Sequence, residues 1–422
     1  MTMPQVAEGS AVLLVSHSYP PRPSPASRRP FGLAKYLRRL GYRVIVLTSD
    51  AWGDSSATEP EGDLIQARDL IGSRLNWRQR NIGAYEGRRG ASYSSQQSMF
   101  GRMLVPDVVG VTWLPFALGP ALALRDEVDA VITTSGPEST HLVGVAMRRR
   151  GVPWVADLRD GWRFEPYREF PLEVEELVDA QLERRVLSQA DRLTAVSEPI
   201  AADLRDRLGL RAISVPNGYD PEEVPAATSE NPLAPDRHSI VYTGRLATGG
   251  RTPDALIAAL QALGRRGAPE LERLEVVLAG PLTDGERAAL DGAGVGDSLR
   301  TVGTLARDQT LRLQRDADSL LLLTAGSRRG EATGKLFEYL FAERPILVLG
   351  ERTEAARIVE DTKAGVVIPS DDPERIADAL VSLVRGETDG FEPAILAGAR
   401  ASYAHSRMAE RMAAVIEAAR TE

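Results

Sequence analysis

Two glutamates, two glycines and a lysine fall within residues 330–339, where an apolar run gives way to a helical pattern. Residues 319–324 predict a buried strand, and residues 335–341 carry apolar side chains at the spacing of a helix. The loop between them therefore turns a helix N-terminus toward any ligand, and the free backbone N–H groups there favour an anion. This local pattern predicts a site for a phosphorylated sugar.

Individual residues of this segment suit the parts of such a ligand. Gly330 and Gly334 let the backbone approach phosphate closely. Thr333 can cap the helix, and Lys335 adds a positive charge in the first turn. Glu338, one turn further along, can accept hydrogen bonds from ribose hydroxyls. An alternative stays open, in which the glycines only make a turn and the glutamates are solvated acids at helix ends.

The composition fits a globular chain of two domains. The 422 residues are 43% hydrophobic and 26% charged, which is enough for two domains that each bury a core. Cysteine is absent from the sequence, which excludes disulfides, thiolate catalysis and cysteine-based metal sites. The four histidines are far apart and lack ligand spacing, so we expect no metal site.

The net charge and the hydropathy pattern indicate which partners and which cellular location to expect. The net charge of −8 argues against a general nucleic-acid binder. Residues 1–10 lack the pattern of a secretory signal, so we expect a cytoplasmic protein. Residues 108–124 are uncharged but contain two prolines and are shorter than a spanning helix, so they predict a buried, kinked helix.

Residues 64–105 are a basic exception in an acidic chain. They carry seven arginines against two acidic residues, with four aromatic side chains interspersed. Such a segment can grip an anionic acceptor or a lipid headgroup surface, and peripheral contact with the inner membrane face is one expectation. A solvated insertion without such a role is the alternative.

Strand and helix patterns alternate along the chain, which predicts parallel sheets with crossover helices. The first predicted sheet comprises residues 11–15, 43–48, 130–134, 154–157, 192–196 and 212–215. The second comprises residues 239–243, 274–279, 299–302, 319–324, 345–349 and 365–368. The predicted fold class is α/β, with two doubly wound Rossmann-like domains whose strand carboxyl ends face a cleft.

The predicted domain boundaries follow from this alternation. Residues 1–216 form the N-terminal, acceptor-side domain, and residues 217–238, rich in proline and polar residues, form a linker. Residues 239–394 form the C-terminal domain that holds the donor. One helix within residues 395–422 is expected to pack back on the N-terminal domain.

Seven short motifs, in order, resemble those of the GT-B glycosyltransferases, specifically the family 4 retaining group, over essentially the whole chain. They are Ser16-His17-Ser18-Tyr19-Pro20-Pro21 with Arg28; Ser135-Gly136-Pro137 with His141; Asp157-Leu158-Arg159-Asp160-Gly161-Trp162; Val196-Ser197; Val215-Pro216-Asn217-Gly218; Thr243-Gly244-Arg245-Leu246; and residues 334–339. The resemblance implies transfer of a sugar from a nucleotide diphosphate sugar to an acceptor hydroxyl, with retention at the anomeric carbon and without an obligatory metal or other cofactor.

The resemblance also implies roles for residues on the donor side. Arg245 matches the arginine that contacts the donor diphosphate, and Arg251 stands where relatives carry an assisting lysine. Glu338 matches the glutamate that holds the ribose, with Thr333, Gly334 and Lys335 completing the donor site. Glu331 matches a glutamate that contacts the donor sugar, although it lies seven residues before Glu338 and not the usual eight.

On the acceptor side, His141 matches a histidine close to the donor sugar and the reacting centre. A histidine satisfied at a helix end is the alternative for this residue. The remaining acceptor-side residues are His17, Arg28, Asp157, Arg159 and Asp160, and for the last three a structural ion pair is the alternative to contact with the acceptor. The stiff segment Pro21-Arg22-Pro23-Ser24-Pro25-Ala26-Ser27 departs from the glycine-rich loop of many relatives and is expected to shape the pocket for a small-molecule, glycan or lipid-linked acceptor.

Three other functions stay open. An inverting GT-B enzyme with His17 as general base is the nearest, followed by a sugar-nucleotide epimerase and a catalytically inactive sugar-nucleotide-binding subunit. Asp316 and Asp318 form the Asp-x-Asp pattern of metal-dependent glycosyltransferases of another fold. That pattern precedes its apolar run, which favours a turn at a helix end.

Overall fold

The computed structural model describes residues 9–20, 25–52, 63–70, 105–107, 109–165, 170, 172–223, 232–246, 252–325 and 328–421. This part of the chain separates into two compact units. The first holds described residues up to 218 together with residues 405–421, and the second holds residues 219–404.

The first unit is built on a parallel sheet of seven strands. The strands are β1 (Ala11–Val15), β2 (Arg43–Ser49), β3 (Leu64–Ala67), β4 (Ala130–Thr134), β5 (Trp154–Leu158), β6 (Arg192–Ala195) and β7 (Ala212–Ser214). Their order is β3-β2-β1-β4-β5-β6-β7. All five residues of β1 are buried and apolar, because helices cover both faces of a parallel sheet.

Helices cover the first sheet on its two faces. They are α1 (Pro25–Arg39), α2 (Val109–Thr112), α3 (Leu114–Ala123), α4 (His141–Arg148), α5 (Glu173–Leu187), α6 (Glu198–Leu208) and, from the far end of the chain, α14 (His405–Arg420). Val12 and Leu14 of β1 belong to the core that α1 and α14 cover. Leu13 and Val15 point to the opposite core, which includes Trp113 and residues of α3, α4 and α6.

The second unit repeats this plan with six parallel strands. They are β8 (His238–Thr243), β9 (Leu274–Ala279), β10 (Leu299–Gly303), β11 (Ser319–Leu323), β12 (Ile346–Leu349) and β13 (Gly365–Ile368), in the order β10-β9-β8-β11-β12-β13. The helices are α7 (Asp254–Arg266), α8 (Asp284–Asp291), α9 (Arg307–Asp316), α10 (Gly334–Ala342), α11 (Glu354–Asp361), α12 (Pro373–Val384) and α13 (Pro393–Arg400).

Strand order reverses once in each sheet, between β1 and β4 and between β8 and β11. Ligands of doubly wound sheets bind outside the carboxyl ends of the strands at such a reversal. The segment from His17 follows β1, and the segment from Ser135 to His141 follows β4. In the second unit, Gly244 and Arg245 follow β8, and residues 324–335 follow β11.

The α/β prediction of two Rossmann-like units is therefore confirmed, but local predictions need correction. Residues 64–67, predicted as part of a basic insertion, form β3, which pairs with β2 at the sheet edge. Residues 71–104 of that insertion lie outside the described residues. The sequence pattern predicts a helix over residues 31–40, but α1 begins at Pro25, six residues earlier, so part of the proline-rich segment is helical.

Two predicted helices are broken. Residues 108–124 contain two short helices separated at Trp113, with Val111 and Phe116 exposed. The helix predicted within residues 395–422 is interrupted between α13 and α14, and only α14 joins the first unit. Ala404 is extended there and forms a β-bridge with Tyr219, while the Tyr219 N–H donates to the Tyr403 carbonyl.

The unit boundaries differ from the predicted linker at 217–238. The division falls between Gly218 and Tyr219, and Tyr219 is already buried in the second unit, stacked on Phe341 with ring centroids 4.6 Å apart. Residues 224–231 of the predicted linker lie outside the described residues. In the described part of the chain, the structure contains no helix long and apolar enough to cross a membrane.

The surroundings of Gly144 show how closely α4 packs on the first sheet. A Cβ at this position would lie 2.1 Å from the indole of Trp154 on β5. Helix propensity alone favours alanine by about 1 kcal/mol, but overpacking of a tight core costs about 1–3 kcal/mol. We therefore expect Gly144→Ala to lower the free energy of unfolding in urea.

Gly398 of α13 is the control, since a Cβ there meets nothing within 4 Å. Gly398→Ala should leave stability unchanged or raise it slightly. Equal stabilisation by both substitutions would contradict the tight contact between Gly144 and Trp154.

Candidate functional site

The first turn of α10 ends the loop that the sequence marks as a phosphate site. Thr333 occupies the N-cap position, as predicted, with extended backbone angles, but its side chain makes no capping hydrogen bond. Its hydroxyl oxygen is buried and makes no hydrogen bond within the described residues. Space beside Gly334 is open to 4 Å. The helix therefore begins with an uncapped N-terminus, an unused hydroxyl and room for an anion.

Lys335 connects this turn to the segment after β8. Its Nζ donates a hydrogen bond of 2.7 Å to the Tyr242 hydroxyl, which in turn donates to the carbonyl of Arg245. Gly244 has a positive φ of 108°, and a Cβ there would lie 3.1 Å from Lys335 Nζ. Glycine therefore allows the lysine to approach the turn that carries Arg245.

The carboxylate of Glu338 is buried and already held. Arg307, in the first turn of α9, places Nη1 2.8 Å from Glu338 Oε1, and Gln314 Nε2 donates to Oε2 at 3.1 Å. Gln314 also donates to Thr243 Oγ1 at 2.9 Å, which joins this group to the end of β8. The second amino group of Arg307 pairs with Glu223. Sequence reasoning missed Arg307 and Gln314, although both lie on the helix that precedes the strand of the predicted site.

The other predicted donor residues differ in how the structure places them. Arg245 is exposed at the end of β8. Glu331 is half-buried in the turn before α10, where its carbonyl accepts a hydrogen bond of 3.0 Å from the Ala355 N–H. Arg251 lies outside the described residues.

In the first unit, His141 is the first residue of α4, and its side chain is fully buried. Its Nδ1 lies 2.8 Å from Thr133 Oγ1, and the same oxygen accepts a hydrogen bond of 2.8 Å from Trp154 Nε1. Since the hydroxyl accepts from Trp154, its own proton can be donated to His141 Nδ1, which leaves a proton on Nε2. That Nε2 is buried and has no hydrogen-bond partner within the described residues.

Burial lowers the pKa of His141 to about 4, and the nearby Asp157 carboxylate only partly opposes this shift. The imidazole is therefore neutral at physiological pH. It can act as a hydrogen-bond donor or acceptor toward a ligand but carries no charge.

His17 follows β1 and pairs with an acid that sequence reasoning missed. Its Nε2 lies 2.8 Å from Asp69 Oδ2, and both side chains are buried. The backbone N–H of Asp69 donates to Asp50 Oδ1 at 2.8 Å, and Trp113 packs edge-on against the imidazole. A buried carboxylate on one ring nitrogen orients the imidazole.

Asp157, predicted to contact the acceptor, is fully occupied within the protein. Arg29 donates to its two oxygens at 2.8 and 2.7 Å, and Thr194 Oγ1 donates at 2.7 Å. Burial raises the pKa of Asp157, but the charge and hydrogen bonds of Arg29 and Thr194 outweigh burial and hold it below its usual value. The buried pair uses Arg29 and not the predicted Arg28, which is only half-buried.

Arg159 is held by backbone carbonyls after β4. Its guanidinium donates to Ser135 O at 2.6 Å, to Gly136 O at 2.8 Å and to Ala26 O. Gly136 has a φ of 77°, and a Cβ there would lie 2.5 Å from Arg159 Nη2. Arg159 therefore shapes the loop that leads to His141, while Asp160 beside it is exposed.

Glu138 is a further titratable group beside this loop. Desolvation, followed by repulsion from Asp107, raises the pKa of Glu138 to about 8. Asp107 is fixed by the N–H and hydroxyl of Ser139, at 2.9 and 2.8 Å. A protonated carboxyl therefore stands two residues before the buried Thr140 and His141 at neutral pH.

The aspartates of the Asp-x-Asp pattern both have structural partners. Asp316 pairs with Arg312 at 3.0 Å, and Asp318 accepts from the N–H and hydroxyl of Ser239 at 2.8 and 2.9 Å. Across the described residues, no group of three or more His, Cys, Asp or Glu side chains is placed to hold a metal ion.

The buried, neutral His141 predicts a pH dependence of stability. The unfolded chain takes up a proton as the pH falls through about 6.5, whereas the folded chain resists until about 4. Stability is therefore lost as the pH falls across this window, by up to about 3 kcal/mol. We expect His141→Gln, which cannot titrate, to lose about 2 kcal/mol less than wild type between pH 7.5 and 5.

Urea unfolding followed by tryptophan fluorescence measures this difference, because Trp154 and Trp162 flank the imidazole. Other groups titrate equally in both proteins, so the comparison isolates His141. Parallel loss of stability in the two proteins would show that the histidine is not held neutral.

Comparisons with known proteins agree with this architecture. The family model described as a glycosyl transferase 4-like domain matches residues 26–218, and the model for glycosyl transferases group 1 matches residues 237–386. A search of curated proteins found no significant match to the sequence.

Solved structures match over nearly the full length. Sucrose-phosphate synthase from Thermosynechococcus elongatus has a TM-score of 0.66 at 15% identity, covering 97% of this chain and 98% of that one. Anabaena HepE in complex with UDP and glucose has a TM-score of 0.61 at 15% identity, covering 97% and 99%. The α,α-trehalose-phosphate synthase of Burkholderia xenovorans in complex with glucose-6-phosphate has a TM-score of 0.62 at 14% identity, covering 97% and 100%.

The two family models lie one on each unit, and the structures that match both units share their fold. The order of motifs along the sequence points to the same group. The chain therefore belongs to the family 4-like glycosyltransferases and is an enzyme with the GT-B fold.

Proposed function

We propose that the enzyme transfers a sugar from a nucleoside diphosphate sugar to an acceptor hydroxyl, with retention at the anomeric carbon and without an obligatory metal. The observation that carries the proposal is the uncapped start of α10, where Lys335 is linked through the Tyr242 hydroxyl to the turn that carries Arg245. Neighbouring structures add support, since HepE has been solved with UDP-glucose and a trehalose-phosphate synthase with glucose-6-phosphate.

The proposed reaction requires this site to stabilise the charge of the leaving group. The nucleoside diphosphate gains negative charge as the glycosidic bond breaks, and charge-assisted hydrogen bonds stabilise it. Arg245, Lys335 and the N–H groups from Gly334 onward supply positive charge without a metal ion. Thr333 adds a hydroxyl that is not yet used. Arg251, outside the described residues, is a further candidate.

Glu338 is proposed to hold the ribose. Its carboxylate oxygens are acceptors of the kind that ribose hydroxyls require. The ion pair with Arg307 and the hydrogen bond from Gln314 fix the carboxylate in one orientation before the ribose arrives. Preorganisation of this kind lowers the entropy lost on binding.

His141 and Glu331 are proposed to act beside the transferred sugar. The unpartnered Nε2 of His141 is available as a neutral donor to a sugar hydroxyl. On the acceptor side, Asp160, Arg28 and His17 remain candidates for direct contact. Asp157 and Arg159 are proposed instead to position the loops, because their polar atoms are already engaged.

The His17–Asp69 pair favours a second candidate, an inverting transferase. A histidine oriented by a buried aspartate at the end of the first strand is a suitable general base for an acceptor hydroxyl. The anomeric configuration of the product, determined by NMR, distinguishes the two functions. The β-configured product from an α-linked donor would replace the retaining proposal with the inverting one.

Nucleotide binding is tested first, by thermal shift with UDP, GDP, dTDP and ADP and their common sugar conjugates. A ligand at 100 times its dissociation constant stabilises a protein by about 2.7 kcal/mol. We expect stabilisation by one nucleotide family and about 10-fold weaker binding or more in Glu338→Gln, which loses charge-assisted hydrogen bonds. The control is Glu360→Gln, an exposed glutamate of α11. No stabilisation by any nucleotide would contradict the proposed donor site.

Turnover is tested with Arg245→Ala. Removing one preorganised donor to the developing charge costs about 2.7–4 kcal/mol, so kcat should fall by about 100-fold or more. Arg265→Ala, at an exposed arginine of α7, should leave kcat unchanged. Wild-type activity should persist after treatment with EDTA. Near-wild-type turnover of Arg245→Ala would contradict the assignment of Arg245 to the diphosphate. Loss of activity in EDTA that Mn²⁺ restores would contradict the proposal that no metal is required.

A further inference from the structure

Helix α5 exposes its apolar side chains. Leu172, just before the helix, is 50% exposed, and Val174, Leu177 and Val178 within it are 60%, 66% and 51% exposed. Val174, Leu177 and Val178 are spaced three and four residues apart, so they form one stripe on the helix surface. Single exposed apolar residues are common, but three on one helix, with a fourth just before it, mark an interaction surface.

The acids of α5 explain why this stripe points outward. Glu175, Asp179 and Glu183 are buried on the opposite face. Arg207 of α6 donates to both oxygens of Glu183 at 2.6 and 2.8 Å, and Trp162 Nε1 donates to Asp179 at 3.2 Å. These partners hold the helix in its orientation, since turning the apolar stripe inward would expose apolar core and break the buried ion pair.

Charges along the outer face have opposite signs at the two ends. Glu173 is exposed at the start of α5, and Arg184 and Arg185 are exposed at its end. A second α5 in antiparallel orientation places Glu173 of each copy near Arg185 of the other, with Leu177 and Gln181 in the middle. A parallel copy would bring like charges together. The face is therefore complementary to itself under a two-fold axis.

We propose that the outer face of α5 binds a second copy of this chain through an antiparallel helix pair. The occupant is a second copy and not an anionic lipid surface, because a second copy offers Arg185 to Glu173, whereas acidic headgroups would repel Glu173. One helix pair buries less area than the roughly 1,200 Å² of a standard stable interface, so the dimer is weak and depends on concentration.

Sedimentation velocity of the full chain over a concentration series tests the proposal. Wild type should shift from monomer toward dimer as its concentration rises. Leu177→Glu should stay monomeric, because it places a carboxylate in the centre of the pair. The control is Ile395→Glu, at a residue of α13 that is 44% exposed, which should dimerise like wild type. Circular dichroism confirms that each variant is folded.

A charge swap tests the antiparallel arrangement. Each two-fold interface contains the Glu173–Arg185 pair twice, so Glu173→Arg and Arg185→Glu should each weaken dimerisation by about 5-fold. The double variant carrying both changes should restore it. The proposal is overturned if wild type stays monomeric, if Leu177→Glu has no effect, or if the double variant fails to recover. Binding to anionic vesicles that Leu177→Glu abolishes, without any dimer, would also overturn it.

Discussion

The buried ion pair between Arg29 and Asp157 joins four parts of the first unit. Arg29 lies on α1 and Asp157 on β5, and a second nitrogen of the same guanidinium reaches Pro216 O and Met408 Sδ, at 3.2 and 3.4 Å. Loss of one partner would leave the other charge buried and unpaired, which typically costs about 3–5 kcal/mol. Arg159 follows the strand of Asp157 and donates to the carbonyls of Ser135 and Gly136, so the loop that leads to His141 is anchored beside this pair.

Charge is distributed differently in the two units. In the second unit, Lys335 lies at an uncapped helix start and Arg245 is exposed after β8, and positive charge of this kind suits a ligand with several negative charges. Around β4 and α4, burial keeps His141 neutral and Glu138 protonated near neutral pH, as their shifted pKa values show. The first environment suits phosphate, whereas the second offers uncharged donors and acceptors of the kind that sugar hydroxyls require.

Sequence reasoning was sound where strands are continuous apolar runs, as in β1 and β11, because a strand covered on both faces leaves that signature. It missed β3, a short and half-buried edge strand, and the early start of α1, which long-range contacts of Arg29 and Arg159 stabilise. It found Glu338 by resemblance but not Arg307, since no local pattern reveals an ion pair between residues 31 positions apart. Likewise, the break before α14 arises from a bridge to Tyr219, far away in the chain.

Helix α14 has a consequence for how the protein is made. Its Met408, Met412 and Ile416 complete the core on one face of the first sheet, and Tyr42 donates to Glu417. During translation, residues 219–404 are synthesised before α14. The first unit therefore keeps one apolar face exposed until α14 is made, while the second unit can already fold. The order of completion along the nascent chain is therefore the reverse of the order of synthesis, and the first unit becomes complete only after the second.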